Sequence, residues 1–77
     1  MNNPTISLES NIQHNRFIRD MSILRDNLRD LSKYDSDLHG KLTDAYEMFG
    51  REMSLTRKQA SHIEQVAFEL EKGKYRG

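Results

Sequence analysis

The stretch from Asn15 to Lys33 constrains this chain more than any other. Phe17, Met21, Leu24, Leu28 and Leu31 are spaced four, three, four, three, the 3.5-residue repeat of a helix whose apolar seam faces another helix. Around the seam stand Arg19-Asp20, Arg25-Asp26 and Arg29-Asp30. The pattern predicts the central helix of a small all-α domain, either a three-helix bundle or a long helix covered by a helical hairpin.

The chain has 77 residues and no cysteine. So short a chain buries only about 60% of its unfolded surface, and neither disulfides nor thiolate metal sites are open to it. Stability has to come from helix packing, from oligomerisation or from a partner. A hydrophobic share of 35% beside a charged share of 31% is lean, but the apolar residues are periodic, which favours a folded chain over a disordered one.

Met1 to Ile6 read as a mobile lead-in, because Pro4 disfavours helix before it. A first helix is predicted over about 11–33, with Ser10 and Gln13 matching a capping box. Leu8, Ile12 and Ile23 fall nearly opposite its seam. Either the helix begins near Asn15 and the earlier residues fold back, or it carries two apolar faces. A break follows at Ser32 to Asp37, where Asp35 and Asp37 suit an N-cap and first turn. The second helix is predicted over about 37–49, with Leu38, Leu42, Ala45 and Phe49 on one face, Gly40 in its first turn and Gly50 as C-terminal cap. Thr56 with Gln59 forms a second capping box, with Leu55 and Ala60 as its hydrophobic staple. The third helix is predicted over about 57–72, with a stripe of Ala60, Ile63, Val66, Ala67 and Leu70 and a stop at Gly73. Residues 74–77 read as a frayed tail.

The composition argues against several functions. Formal net charge is zero, which gives no general pull towards nucleic acid or membrane. No apolar run reaches membrane-spanning length and no leader pattern opens the chain, so a cytoplasmic protein with no membrane partner is expected. His14, His39 and His62 lack zinc-type spacing and read as surface or boundary residues. There is no phosphate loop and no nucleophile elbow. No enzyme activity, cofactor or metal is expected.

Interaction residues are the remaining candidates. Arg16 with Asp20 and Asp26 with Arg29 have spacings that let them pair on a helix surface. They form either a solvated face or, with Arg19 and Arg25, a set of interface anchors. Ile23 lies off the seam. Phe68 lies far from the stripe of the third helix, and Tyr75 falls on the same side if helix continues that far. Each is a second packing surface or a contact residue. The protein-binding set is therefore Arg16, Arg19, Ile23, Arg25, Phe68 and Tyr75. A seam of five large residues on the first helix leaves room for a homodimer or a bound partner. Arg57, Lys58, Lys72, Lys74 and Arg76 carry an alternative, nucleic-acid-binding reading. In it a helix-turn-helix presents Arg57 and Lys58 to bases, although Glu64, Glu69 and Glu71 on the same helix oppose phosphate.

The segment Phe49 to Val66, with Gly50, Leu55, Thr56, Lys58, Gln59 and Ile63, resembles a pattern of small phage-encoded helical proteins. There it follows a segment similar to Asn15 through Met21. The resemblance spans roughly two-thirds of the chain. It implies a phage or mobile-element origin and no catalytic residue. Many such proteins are of unassigned function, some in replication or recombination settings, and others bind and inhibit a host factor such as an immune nuclease. By that analogy the partner is a host or phage protein met in the host cytoplasm, with an accessory role in replication, recombination or transcription control as the alternative.

Overall fold

The computed structural model describes residues 4–76. Its elements are β1 (Thr5–Ser7), α1 (Asn11–Asp26), α2 (Lys33–Phe49), β2 (Ser54–Thr56) and α3 (Arg57–Glu71), with short 3-10 turns at Leu28–Asp30 and Gly50–Glu52. The fold is helical. α1 and α3 share the largest interface, α2 packs on α1, and a two-stranded antiparallel ribbon closes one end.

The seam is shorter than its spacing suggests. Phe17, Met21 and Leu24 are buried in the core, but α1 ends at Asp26 rather than near Lys33. Asn27 is the cause. Its side-chain amide donates to the Ile23 carbonyl at 2.8 Å, offering the backbone an alternative to the next helical bond. Leu31 and Ser32 are then extended. Leu28 consequently lies 42% exposed while Leu24 is 1% exposed. The first helix has no excess apolar seam to cover.

The second helix starts early for a related reason. Ser32, and neither Asp35 nor Asp37, is the N-cap, its hydroxyl accepting from the Asp35 N–H at 3.2 Å. Gly40 therefore lies mid-helix rather than in the first turn. Gly50 ends α2 at φ +58°, where a side chain would be strained. The Thr56–Gln59 capping box is present in both directions, each bond 3.0 Å. Ser10 is the N-cap of α1 but makes no side-chain capping bond.

Both chain ends depart from expectation. Thr5–Ser7 pairs with Ser54–Thr56, Ile6 opposite Leu55, and the Pro4 carbonyl accepts from the Arg57 N–H at 2.9 Å. The described part of the lead-in is thus a strand; residues 1–3 of that expectation lie outside the described residues. Leu8 folds back into the core while Ile12, on α1, is exposed, so α1 has one buried face. Arg51 holds this turn, its guanidinium donating to the Leu8 carbonyl at 3.1 Å, the Glu9 carbonyl at 3.0 Å and Asn11 Oδ1 at 2.7 Å.

At the other end α3 closes in a Schellman motif. Lys74 N–H donates to the Glu69 carbonyl at 2.8 Å and Gly73 N–H to the Leu70 carbonyl at 3.2 Å, with Gly73 at φ +70°. The chain turns back, and Tyr75 packs against the core. Tyr75 is therefore docked rather than frayed, while Lys74 and Arg76 stay exposed; Gly77 lies outside the described residues.

The shortened seam predicts a contrast. Leu24→Ala should cost about 2–5 kcal/mol, as a core truncation does, whereas Leu28→Ala should cost less than about 1 kcal/mol. Urea unfolding of the two variants measures both. Equal costs would restore the longer seam.

Candidate functional site

Packing α3 against α1 leaves a groove of about 630 Å³ along their shared side, lined by Arg16, Arg19, Asp20, Ser61, Glu64, Gln65, Ala67, Phe68 and Glu71. Three of the six residues picked for protein binding meet here: Arg16, Arg19 and Phe68. Phe68 is 52% exposed, and the Lys72 ammonium lies 5.7 Å from its ring centroid, a cation–π contact. Arg19 reaches across to α3, donating to Glu71 Oε1 at 2.9 Å. The pairings expected within the first helix do not form: neither Arg16–Asp20 nor Asp26–Arg29 is among the ion pairs of the described residues. Arg19 goes to α3 instead, and α1 ends at Asp26, so Asp26 and Arg29 do not share helical geometry.

Asp20 is the unusual residue of the groove. It is 5% exposed and accepts no hydrogen bond among the described residues. Burial raises its carboxyl pKa from 3.8 to about 6, Glu64 and Glu71 add to the rise, and Arg19 and Arg16 oppose it. The sign follows directly. Below the unfolded value both states hold the proton and nothing is lost. Between 3.8 and about 6 stability falls as pH rises, because the unfolded carboxyl ionises while the folded one holds its proton, and above about 6 the full cost is in place.

The other three protein-binding candidates lie elsewhere. Arg25 borders a separate depression between α1 and α2, beside Ile18, His39 and Tyr46. Its Nε sits 3.9 Å from Asp26 Oδ1 with both side chains exposed, a contact worth little. Ile23 is half-buried against the core, a packing residue rather than a free contact. Tyr75 leaves the side of Phe68 because Gly73 reverses the chain.

Tyr75 belongs to a polar cluster joining α2, α3 and the tail. Its hydroxyl donates to Asp35 Oδ2 at 2.5 Å and accepts from the Ser32 N–H at 2.9 Å. His62 Nε2–H donates to Asp35 Oδ1 at 2.6 Å, the carboxylate fixing which ring nitrogen carries the proton. The Tyr34 ring meets His62 edge-on at 5.5 Å. Burial pushes the Asp35 carboxyl up, but hydrogen bonds from Tyr75 and His62, the His62 charge and Ser32 together hold it below 3.8. A carboxylate–imidazole pair also occurs in general-base catalysis. Here the second Asp35 oxygen is taken by Tyr75, and among the described residues no hydroxyl bonds the other ring nitrogen of His62. The geometry is that of a brace.

The nucleic-acid set does not assemble either. Arg57 and Lys58 open α3, whereas Lys72, Lys74 and Arg76 lie at and beyond its end, about 22 Å away by helical rise. Glu64, Glu69 and Glu71 stand between them. β2, not a helix and turn, precedes α3, so the helix-turn-helix expectation fails. Among the described residues no group of three or more His, Asp or Glu side chains could hold a metal ion, and no helix is long and apolar enough to cross a membrane.

From the sequence, Asp20 is expected only as an ion-pair partner of Arg16, Glu64 only as a charge that opposes phosphate and Asp35 only as a cap or first-turn residue; their places in the groove and beside His62 are not expected. Asp20 carried a signal: it lies three residues after Phe17 and four before Leu24, a carboxylate on an apolar stripe. Asp35, His62 and Tyr75 carried none, being 27 and 40 residues apart along the chain.

No family model, no curated protein and no solved structure matches this chain.

The two carboxylates predict opposite responses. Asp20→Asn should raise stability near neutral pH by roughly 1–2 kcal/mol, the full shift being discounted because the groove is open to water. The gain should vanish in acid, once wild-type Asp20 is protonated in both states. Tyr75→Phe strips a donor from Asp35 and an acceptor from the Ser32 N–H, and should cost about 1–3 kcal/mol. The stability that Asp35 contributes is present above 3.8 and lost as pH falls through its lowered folded value, so the Tyr75→Phe deficit should shrink there. Denaturant titrations across acid to neutral pH report each sign.

Proposed function

We propose that this protein is a non-enzymatic binding module that engages another protein through the α1–α3 groove. One observation carries the reading: Arg16 and Arg19 of α1 and Phe68 of α3 line a single groove, with Phe68 half-exposed at its side. Arg and aromatic side chains are the types that dominate binding energy at protein interfaces. A ring left half in water on the open side of α3 contributes little to the free fold.

The resemblance of the Phe49–Val66 segment to small phage-encoded proteins supplies the kind of partner. By that analogy the partner is a host protein, such as a defence or nucleic-acid-processing complex, which binding inhibits or modulates in the host cytoplasm. The split of Arg57 and Lys58 from Lys72, Lys74 and Arg76 weighs against direct nucleic-acid binding, which needs its cations on one track.

Affinity capture from host lysate tests this, with nuclease added and omitted, comparing wild type with the double variant Arg16→Ala, Phe68→Ala. The expected outcome is one stoichiometric protein that survives nuclease and falls by at least about tenfold with the double variant, as loss of an anchor pair implies. Capture untouched by the double variant would overturn the groove as the binding surface. Capture abolished by nuclease would overturn the protein partner.

A further inference from the structure

Asp20 is a buried carboxylate with no donor. Its oxygens keep some contact with solvent, since among the described residues no fully buried side-chain nitrogen or oxygen lacks a partner; a donor brought by a ligand would replace that partial hydration. Asp20 lines both the α1–α3 groove and the smaller hollow beside it under Ile6 and Leu55, so its oxygens open onto space that a ligand can enter. Its neighbours do not supply the missing donor. Arg19 is committed to Glu71, and Arg16 makes no ion pair with it among the described residues.

Charge narrows what would fit. From α1 the groups facing Asp20 are Arg16 and Arg19; from α3 they are Glu64 and Glu71. The ribbon offers only Ile6 and Leu55 to this end. Three carboxylates against two guanidinium groups leave one negative charge unmatched when Asp20 is ionised. Phe68 adds an apolar face that already attracts a cation, Lys72.

We infer that the groove receives an arginine side chain of the partner protein, its guanidinium bound between Asp20 and Glu64 and its stem lying along Phe68. This rests on the binding reading above and names the chemistry that the partner must present. Arginine fits better than lysine. Its planar fork can donate to two carboxylates at once, and it packs flat on aromatic rings. A guanidinium also completes Asp20: the carboxyl gives up its proton on binding and gains the donor it lacks. Binding therefore weakens as pH falls through the value of about 6 set by Asp20.

The test uses the whole protein, labelled for NMR, titrated with the blocked tripeptide acetyl-Gly-Arg-Gly-amide and with its Gln counterpart. The arginine peptide should shift the amides of residues 16–20 and 61–68, with a dissociation constant on the order of 10 mM or tighter. Asp20→Asn, which the free fold should tolerate, should weaken binding about tenfold, and so should a drop to about pH 5. The Gln peptide should leave the groove unshifted. No groove shift at saturating arginine peptide, or equal shifts with Gln or in Asp20→Asn, would overturn the inference. Lysate capture separates the two claims. Loss with Arg16→Ala, Phe68→Ala but full retention with Asp20→Asn would overturn the arginine receptor and leave the binding module standing. Retention with both would overturn the groove as the binding surface, and the arginine receptor with it.

Discussion

The structure depends on α1 and α3 closing on each other around Leu8, Leu24 and Ile63, the largest side chains that are wholly buried. A chain this short has little apolar surface to spend, and these three residues come from three separate segments. Leu8 arrives because the turn after β1 folds back. Ile63 arrives because the Thr56 capping box starts α3 at the right residue. β1, in turn, has a partner only because β2 leads directly into α3. The ribbon and the helix pair are thus one unit, and the ribbon is too small to stand without it.

Two buried carboxylates show how differently one fold can treat the same group. Asp35 is surrounded by donors: Tyr75, His62 and the Ser32 cap. It holds its charge easily and ties three segments together. Asp20 has neighbours of both signs and no donor at all, and it resists ionisation. One is a finished structural contact. The other still lacks a donor, which leaves Asp20, and not the more elaborate cluster around Asp35, free to take one from a ligand.

Much of the fold was legible because local signals and packing agree. The α3 stripe, its capping box and its glycine stop all survive in the structure, as does the face of Leu38 and Leu42. The first helix was misread because its heptad spacing continues through Leu28 and Leu31 after the backbone has stopped being helical. Asn27 and the Ser32–Asp35 cap were the contrary signals, and both are side-chain bonds to the backbone, which periodicity does not register. The ribbon was not legible since two three-residue strands with 46 residues between them leave no pattern of their own. Of the candidate site, Arg16, Arg19 and Phe68 could be picked by residue type and position, but only the packing of α1 on α3 could bring them together. Tyr75 was assigned to the same face because helical phase was extended past Gly73, where the chain reverses.

Arg51 has a consequence for how this sequence can vary. Two of its three contacts are main-chain carbonyls, those of Leu8 and Glu9. A clamp that grips carbonyls is indifferent to the side chain at position 9, so that site is open to drift without loosening the turn. Position 51 has no such freedom. Lysine keeps the charge but lacks the fork that spans two carbonyls and an amide oxygen. A position free to drift and one that is not are therefore partners in the same hydrogen bond.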